Sequence, residues 1–379
     1  MATPKLRFKE FDEDWTALKY EDILNIKYGK DHKKLNSGNI PVFGTGGVMR
    51  YVDQFLHDGE SILIGRKGTI DSPKYVNEKF WTVDTLFYTE IKEQAVPKFV
   101  YQHALQVNWL KLNEATGVPS LNTKSINNVA INLPPLKEQT KIATFLSAVD
   151  TKIDELTQKH ELLTDYKKGM MQQIFSQKVR FKADDGSDFE DWTQCTLSEI
   201  ATRVTRKNKE GNQNPLTISA QMGLVNQQKY FNKQVASKNL SNYYLLYKGE
   251  YAYNKSYSAG YPMGVIKRLK NYDKGAVSTL YICFSLNNKI NTDFFEHYVE
   301  SGNLIQELEK IAQEGARNHG LLNVGIKEFF EINLSTPCLK EQTKIANFLT
   351  AIDQKIDNVA EQIDHAKTWK KGLLQQMFV

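Results

Sequence analysis

Residues 136–175 read LKEQTKIATFLSAVDTKIDELTQKHELLTDYKKGMMQQIF, and residues 339–378 repeat them as LKEQTKIANFLTAIDQKIDNVAEQIDHAKTWKKGLLQQMF. The two copies begin at Leu136 and Leu339, an offset of 203, and about half of their positions are identical without any gap. A repeat of this length does not arise by chance, so the chain is interpreted first of all as a duplication.

Each copy predicts one long helix. Pro134, Pro135 and Pro337 stand before the copies and no proline lies inside them, which is the distribution that a helix requires. Apolar residues recur at alternating spacings of four and three, the heptad pattern of a coiled coil. We predict that the helices pair with each other, and an antiparallel pair is favoured over a parallel one because two related halves would be inverted. The predicted pairing residues are Ile142, Leu146, Val149, Ile153, Leu156 and Leu163, with Ile345, Leu349, Ile352, Ile356, Val359 and Ile363.

The segments that precede the helices are weaker copies of each other. RFKEFDEDW at 7–15 matches RFKADDGSDFEDW at 180–192, and VDTLFY at 83–88 matches VSTLYI at 277–282. The sequence therefore predicts a pseudo-twofold internal repeat. Its four regions are a globular domain at 1–135, a long helix at 136–178, a second globular domain at 179–337 and a second long helix at 338–379.

Both globular domains are predicted to be strand-rich members of the α+β class, because most of their apolar runs are short and bounded by glycine or asparagine. Predicted strands lie at 61–65, 79–83, 85–91, 243–247 and 278–286. Predicted turns lie at 37–39 and 44–47, and predicted helices at 97–106 and 293–312.

The composition excludes several classes of protein without selecting one. The 379 residues carry a net charge of only +5, which permits an acidic partner but does not require one. No apolar run reaches the roughly 18–20 residues of a membrane span. The three cysteines form no CxxC pair, so we expect neither a metal site nor a disulfide framework, and we expect a reducing cytoplasm.

The sequence also lacks the short motifs of several enzyme classes. It has no Walker A loop, no dinucleotide-binding glycine pattern, and no HExxH or GxSxG motif. The segment from Asn214 to Thr217 reads NPLT, which lacks the second proline and the aromatic residue of an amino-methyltransferase tetrapeptide. We therefore expect no catalytic residue in this chain.

Basic and polar loops are the candidate contacts to nucleic acid. Arg66 and Lys67 follow a predicted strand, and the equivalent segment of the second domain carries Asn254 and Lys255. Such side chains bind phosphates and base edges, although a solvated loop explains any single lysine equally simply. Different residues at equivalent positions are what two readers of different sequences require. The candidates are Lys30, Lys33, Lys34, Arg66, Lys67, Thr69, Asn122, Lys124, Arg203, Arg206, Lys207, Asn254, Lys255, Ser256, Tyr257, Arg317 and Asn318.

Taken in this order, the motifs resemble the specificity subunit of type I restriction–modification systems. The resemblance covers essentially the whole chain. It is carried by the RF…W segment before each domain, the loops around Arg66 and Lys255, the INLPPLKEQ entry at 131–139 and the KKGxxQQ end of each helix. The second entry departs from the first, because residues 332–342 read INLSTPCLKEQ.

This resemblance implies that each globular domain is a target recognition domain that reads one half of a bipartite, asymmetric target in double-stranded DNA. The helices would set the spacer between the halves and dock two methyltransferase subunits, to which two restriction/motor subunits can be added. S-adenosylmethionine would be bound by the methyltransferase subunits, which methylate adenine at N6. This chain would itself carry no cofactor and would act in the cytoplasm.

Two interpretations from other classes remain open at this point. One is a coiled-coil scaffold protein without any role in nucleic-acid recognition. The other is a stand-alone DNA-modifying enzyme, which the absence of catalytic motifs disfavours.

Overall fold

A computed structural model of the chain describes residues 4–231, 239–256, 260–312 and 322–378. The chain divides into two compact units: unit 1 combines Met1–Lys159 with Val359–Val379, and unit 2 is His160–Asn358. Each unit therefore contains one globular domain and a part of each long helix. This division differs from the predicted four regions, which set the helices apart from the domains.

Unit 1 is built around a six-stranded sheet of order β2-β7-β5-β6-β3-β4, in which only β3 and β6 pair in parallel. Strands β1 and β8 form a separate antiparallel pair. Its strands are β1 Thr16–Lys19, β2 Leu24–Tyr28, β3 Ser37–Gly44, β4 Gly47–Val52, β5 His57–Gly65, β6 Lys74–Thr82, β7 Leu86–Ile91 and β8 Ala130–Leu133. Its helices are α1 Tyr20–Ile23, α2 Pro97–Ala104, a 3₁₀ turn at Trp109–Leu112 and α3 Thr123–Asn127, and the long helix α4 begins here and covers Leu136–Phe175.

Unit 2 contains a four-stranded sheet of order β10-β17-β14-β15 and three separate antiparallel pairs, β11-β12, β13-β16 and β9-β18. Its strands are β9 Thr193–Thr196, β10 Ala201–Arg203, β11 Leu216–Ser219, β12 Gly223–Asn226, β13 Tyr244–Tyr247, β14 Tyr251–Asn254, β15 Val265–Arg268, β16 Lys274–Val277, β17 Ile282–Leu286 and β18 Asn333–Thr336. Its helices are α5 Leu197–Ile200, α6 Gln227–Phe231, α7 Thr292–Glu300, α8 Ile305–Ile311 and α9 Ile326–Phe330, followed by the second long helix, α10, at Leu339–Met377.

The two domains share one frame and differ in what is added to it. The order β2-β7-β5-β6 in unit 1 corresponds to β10-β17-β14-β15 in unit 2, and every neighbouring pair in both is antiparallel. In unit 1 the hairpin β3-β4 extends this sheet, whereas in unit 2 the hairpin β11-β12 stands apart from it. The duplication is thus visible in the described strands, and the additions distinguish the two domains.

Three local predictions are wrong in their limits. The predicted strand at 278–286 begins only at Ile282, because residues 278–281 form a turn in which the amide of Tyr281 donates to the carbonyl of Ser278 at 3.1 Å. The predicted turn at 37–39 is part of β3, where the register with β4 is irregular. The predicted helix at 293–312 is divided into α7 and α8 at Gly302, whose φ of 85° favours glycine.

The long helices are slightly shorter than predicted. The first ends at Phe175 rather than at 178, and Gln177 beyond it has a left-handed φ of 59°. The second begins at Leu339 and its last helical residue is Met377. None of the helices in the described ranges combines the length and the apolarity that a bilayer crossing would need.

The first half of each heptad stripe is buried together with its own domain. In unit 1, one apolar cluster joins Phe99 and Trp109 of the domain to both long helices, through Ile142, Leu146, Val149, Leu373, Leu374 and Met377. In unit 2, the corresponding cluster contains Met171, Ile174, Phe175, Ile345, Leu349 and Ile352. Besides the other helix, which the heptad pattern predicts as the partner, the aromatic core of each domain thus covers part of the stripe. Farther along, Leu156, Val359 and Ile363 are buried, whereas Ile153, Leu163 and Ile356 are half-buried.

Two equivalent ion pairs define the direction of the long helices. In unit 1, Asp150 of α4 pairs with Lys370 of α10 at 2.5 Å. In unit 2, Lys167 of α4 pairs with Asp353 of α10 at 2.7 Å. These are the same two positions of the repeat with the helices exchanged. Asp150 precedes Lys167 on α4, whereas its partner Lys370 follows Asp353 on α10. The two helices therefore run antiparallel.

A buried glutamate fixes the start of each long helix. Glu138 is fully buried, and it accepts hydrogen bonds from Nε of Arg7 at 2.7 Å and from Nη2 of Arg7 at 2.8 Å. Nε1 of Trp15 donates to the same carboxylate at 3.2 Å. In unit 2 the equivalent Glu341 is also fully buried and is bound by Arg180, with 2.8 Å to Nη2. The RF…W segments are thus the partners of the helix starts.

The adjacent glutamine attaches the same helix start to the helix of the domain. Nε2 of Gln139 donates to the carbonyl of Pro134 at 2.7 Å, and its Oε1 accepts from the amide of Val96, the residue before α2, at 2.8 Å. Gln342 repeats this arrangement with the carbonyl of Pro337 and with the amide of Asn291, the residue before α7. The shared glutamate and glutamine of the LKEQ sequence are therefore explained by contacts within each unit.

We expect Arg7→Ala to destabilise the protein by about 3 kcal/mol, because the change leaves the Glu138 carboxylate buried without its charged partner. The side chain of Arg7 is itself 14% exposed, which places the expected loss at the lower end of the range for broken buried pairs. Urea unfolding of the full chain measures it. Lys9→Ala, an exposed change in the same segment, is the control, and an equal effect of the two substitutions would contradict the assignment.

Candidate DNA interface

Three loops of unit 1 surround one open cleft of about 720 Å³. They are residues 31–33 after β2, residues 44–49 around the turn between β3 and β4, and residues 83–85 between β6 and β7. The cleft lies in the domain whose sequence supplies the first set of candidate basic residues, and Lys33 of that set lines it.

The predicted Arg66 and Lys67 are attached to the wall of this cleft. Nη1 of Arg66 donates to the carbonyl of Asp84 at 3.0 Å, and the guanidinium lies 5.5 Å from the ring centroid of Tyr28. The amide of Lys67 donates to the carbonyl of Thr85 at 3.2 Å. The structure thus brings Lys33, Arg66 and Lys67 together around one loop, although they are separated by more than thirty positions in the sequence.

Of the other candidates of unit 1, one is hydrogen-bonded within the domain and the rest are exposed. Asn122 is the N-cap of α3: its Oδ1 accepts from the amide of Ser125 at 2.7 Å, and its Nδ2 donates to Glu114. These bonds occupy the polar atoms of Asn122 within the domain. The exposed candidates are Lys30, Lys34, Thr69 and Lys124, and a DNA contact by any of them stays a prediction.

In unit 2 the candidates Arg206 and Lys207 lie against tyrosine rings of β13. The guanidinium of Arg206 is 4.0 Å from the ring centroid of Tyr247, and its Nη2 pairs with Glu250 at 2.7 Å. Nζ of Lys207 is 4.6 Å from the ring centroid of Tyr244 and donates to a backbone carbonyl at 2.8 Å. Sequence reasoning singled out the basic residues but missed the tyrosines, although both belong to the predicted strand at 243–247.

Glu210, the acidic residue within this basic run, is neutralised from another strand. It pairs with Lys274, and it accepts a hydrogen bond from the hydroxyl of Tyr247 at 2.6 Å. The bond from Lys274 lowers the pKa of the Glu210 carboxyl, and the bond to Glu210 raises the pKa of Tyr247. Arg206 and Lys207 consequently have partners other than Glu210.

Arg66 and Lys255 occupy equivalent backbone positions in the two units. The carbonyl of Arg66 accepts from the amide of Leu121 at 2.9 Å, and the carbonyl of Lys255 accepts from the amide of Leu322 at the same distance. Oδ1 of Asn254 accepts from the amide of Ser256 at 3.1 Å, and Arg203 is exposed. The remaining candidates lie outside the described residues, and they are Tyr257, Arg317 and Asn318.

One group of side chains in unit 2 has the composition of a metal site. Ligand atoms of His297, Glu300 and Asp353 lie within 4.8 Å of one another. Nζ of Lys167 is 2.7 Å from both carboxylates, so an ammonium already supplies the positive charge between them. Burial would raise the pKa of Glu300, but the nearby ring of His297, 3.6 Å away, and the hydrogen bond from Lys167 lower it to about 2. The group is therefore explained as an ion cluster between α7 and the long helices.

Comparison with known proteins finds relatives both by sequence and by fold. A family model described as "Type I restriction modification DNA specificity domain" matches residues 12–164 and 189–367. The type I restriction enzyme MjaVIII specificity subunit of Methanocaldococcus jannaschii is 32% identical over 155 residues, which are 38% of this chain and 34% of that protein. The match thus spans about a third of the length of the relative.

Two solved structures share the fold at low sequence identity. The S subunit of a type-I restriction-modification system from M. genitalium aligns with 100% of this chain and 99% of its own, with a TM-score of 0.66 and 16% identity. A chain from a study of complex assembly and conformational transition of the type I R-M system covers 97% of this chain and 98% of its own, with a TM-score of 0.52 and 12% identity. At these identities the likeness concerns the fold alone.

We expect Arg206→Ala to lower the free energy of unfolding by about 1–3 kcal/mol, because Glu250 is 14% exposed and loses its charged partner, while it keeps the hydrogen bond from the amide of Tyr247. Arg203→Ala, which removes the same charge at an exposed position three residues earlier, is the matched control and should change stability by less than about 0.5 kcal/mol. Urea unfolding of the two variants tests this, and equal losses would show that the pair with Glu250 contributes nothing.

Proposed function

The chain belongs to the family of type I restriction–modification DNA specificity domains, and from this we propose that it is the non-catalytic sequence-recognition subunit of a type I restriction–modification complex. Each domain reads one half of a bipartite, asymmetric target in double-stranded DNA. The observation that carries the proposal is that the family model matches twice, once over most of each domain.

The shared frame with different loops supports two separate readings of DNA. Both units have the same four-strand order, and both hold a basic residue, Arg66 or Lys255, at the same backbone position. Base edges are read by the side chains of such positions, whereas phosphate contacts fix the register of the protein on the duplex. Two domains with one backbone frame and different side chains meet this requirement for an asymmetric target.

The small net charge of +5 limits the non-specific affinity for DNA that this chain supplies. Non-specific affinity grows with the number of phosphates that lysine and arginine neutralise. We therefore place the DNA contacts in small loop patches such as the cleft of unit 1, and we propose that partner subunits share the electrostatic attraction.

The long helices are proposed to set the spacer and to bind the partners. Because the two helices repeat each other, the chain presents equivalent surfaces twice, which suits two copies of one methyltransferase subunit. Those subunits bind S-adenosylmethionine and methylate adenine at N6, and two restriction/motor subunits join the complex. We propose that the complex acts in the cytoplasm.

Arg66→Ala and Lys255→Ala are each expected to impair the recognition of one half-site and to leave the other unchanged. The reason is their equivalent positions in the two units. Loss of a base contact corresponds to roughly a tenfold loss of discrimination. Methylation sequencing of DNA from cells that carry the full chain with its methyltransferase subunits gives both half-sites in one measurement.

Lys289→Ala is the control for this pair, because Lys289 is exposed beyond the far end of β17. It should leave the methylated motif unchanged. Degradation of both half-sites by either single variant would contradict the assignment of one domain to each half. The absence of any methylated motif with the unmodified chain would contradict the proposed function itself.

Lengthening both long helices should lengthen the spacer without changing the bases that are read. Seven residues inserted after Lys159 and seven after Asn358, at the boundary of the two units, add about 10 Å of helix. This corresponds to roughly three base pairs of DNA. The motif obtained by methylation sequencing should contain a longer gap between unchanged half-sites, and a changed base preference at the original spacing would refute the idea of a ruler.

A further inference from the structure

Asp84 is an unpaired carboxylate among loops that also carry Asp31 and Lys33. It lines the cleft of unit 1 and is exposed, and its backbone carbonyl holds Arg66. Its carboxylate has neither a hydrogen bond nor an ion pair with any residue in the described part of the chain. Lys33 lines the same cleft, and Lys67 is attached to the next residue, Thr85. The contacts of the fold therefore leave the Asp84 carboxylate free for a ligand.

A carboxylate at this place opposes the simplest mode of DNA binding. It repels phosphates, so it weakens the attraction that neighbouring lysines provide. Carboxylates are, however, acceptors for the exocyclic amino groups of bases, such as N4 of cytosine in the major groove. Asp84 thus lowers the affinity for the phosphate backbone of DNA and increases the discrimination between base edges.

Other groups of the cleft are also of the kind that contact bases. Met49 is 61% exposed and Val48 is 47% exposed, so both offer apolar surface of the type that contacts a thymine methyl group. Nδ1 of His32 is buried and has no hydrogen-bond partner among the described residues. A loop with two large exposed apolar side chains next to an unpaired carboxylate is better suited to a base edge than to a phosphate.

The side chain at the position of Asp84 also differs between the two units. The pairing registers align the segments before β7 and β17. Phe87 pairs with Ile64, two positions before Arg66, and Ile282 pairs with Tyr253, two positions before Lys255. Thr279 therefore stands where unit 1 has Asp84. Both segments lead into equivalent strands, β7 and β17. A hydroxyl both donates and accepts hydrogen bonds, whereas an ionised carboxylate only accepts them. The two units therefore present different hydrogen-bonding chemistry at one place in a common frame.

We infer that Asp84 is a specificity-determining residue of unit 1, whose carboxylate accepts a hydrogen bond from the exocyclic amino group of a cytosine or an adenine in the half-site. Thr279 holds the corresponding place in unit 2. This inference rests on the proposed function, because it requires that unit 1 reads DNA. It adds the chemical class of the base edge that this loop recognises.

The test uses the full chain produced together with its methyltransferase subunits, in cells without other adenine methylation. Asp84→Asn removes the charge and keeps the size of the side chain. Glu78→Gln removes the same charge at an exposed position of β6 outside the cleft and is the matched control. Methylation sequencing gives the motif, and titration of the purified complex with a random-sequence duplex gives the non-specific Kd.

We expect Asp84→Asn to relax or change one base position of a single half-site by about tenfold in methylation frequency. The identity of that base, cytosine or adenine, distinguishes the two sources of the amino group. The random-duplex Kd should stay the same or decrease by about twofold, because a repulsive charge is lost. Glu78→Gln should leave the motif unchanged.

Each other outcome also has a definite meaning. If the unmodified chain gives a motif and Asp84→Asn gives the same one, the inference is overturned while the proposed function stands. Complete loss of methylation with unchanged or tighter binding to the random duplex supports the inference, because sequence recognition is lost while non-specific DNA binding is kept. Complete loss with weaker binding to the random duplex overturns it, as does an identical change of the motif in Glu78→Gln.

Discussion

The buried charge of Glu138, and of Glu341 in the second unit, is the constraint on which the rest of the structure depends. A carboxylate that is removed from water must be paired, and the arginine that pairs it stands more than a hundred residues earlier in the chain. The pair therefore joins the first segment of each domain to the first turn of its long helix. The next residue, Gln139 or Gln342, adds the domain's own helix to the same junction. The direction in which each long helix leaves its domain follows from these bonds.

The same junction explains why the helices have diverged less than the domains. A residue in the first half of a long helix must fit the core of its own domain and the last turns of the other helix, as the mixed clusters of both units show. An exposed loop side chain such as Met49 lines the cleft and belongs to neither of these clusters. Substitutions in the helices therefore disturb two sets of contacts, whereas substitutions in the loops change a surface and leave the frame intact.

The features that the sequence predicts well are those with a local cause. Prolines and heptad spacing locate the long helices to within a few residues, and the repeat aligns Arg66 with Lys255. The errors have long-range causes. A heptad stripe does not reveal that Phe99 and Trp109 cover it, and the apolar residues Leu280 and Tyr281 suggest a strand where the chain turns. The tyrosine partners of Arg206 and Lys207 were missed for the same reason, since they lie about forty positions away.

A near-neutral chain that recognises DNA must obtain selectivity from arrangement rather than from charge. Its +5 is too small to hold a duplex strongly through phosphates alone, and part of its basic surface is already paired within the protein, as Arg206 is with Glu250. Because phosphate binding by this chain is already weak, a carboxylate such as Asp84 lowers the affinity for DNA only slightly. Two DNA-reading domains that belong to one chain bind with a high effective concentration, because the binding of one holds the other near the duplex. The duplication therefore provides affinity through two linked binding domains, which the small net charge alone would not provide.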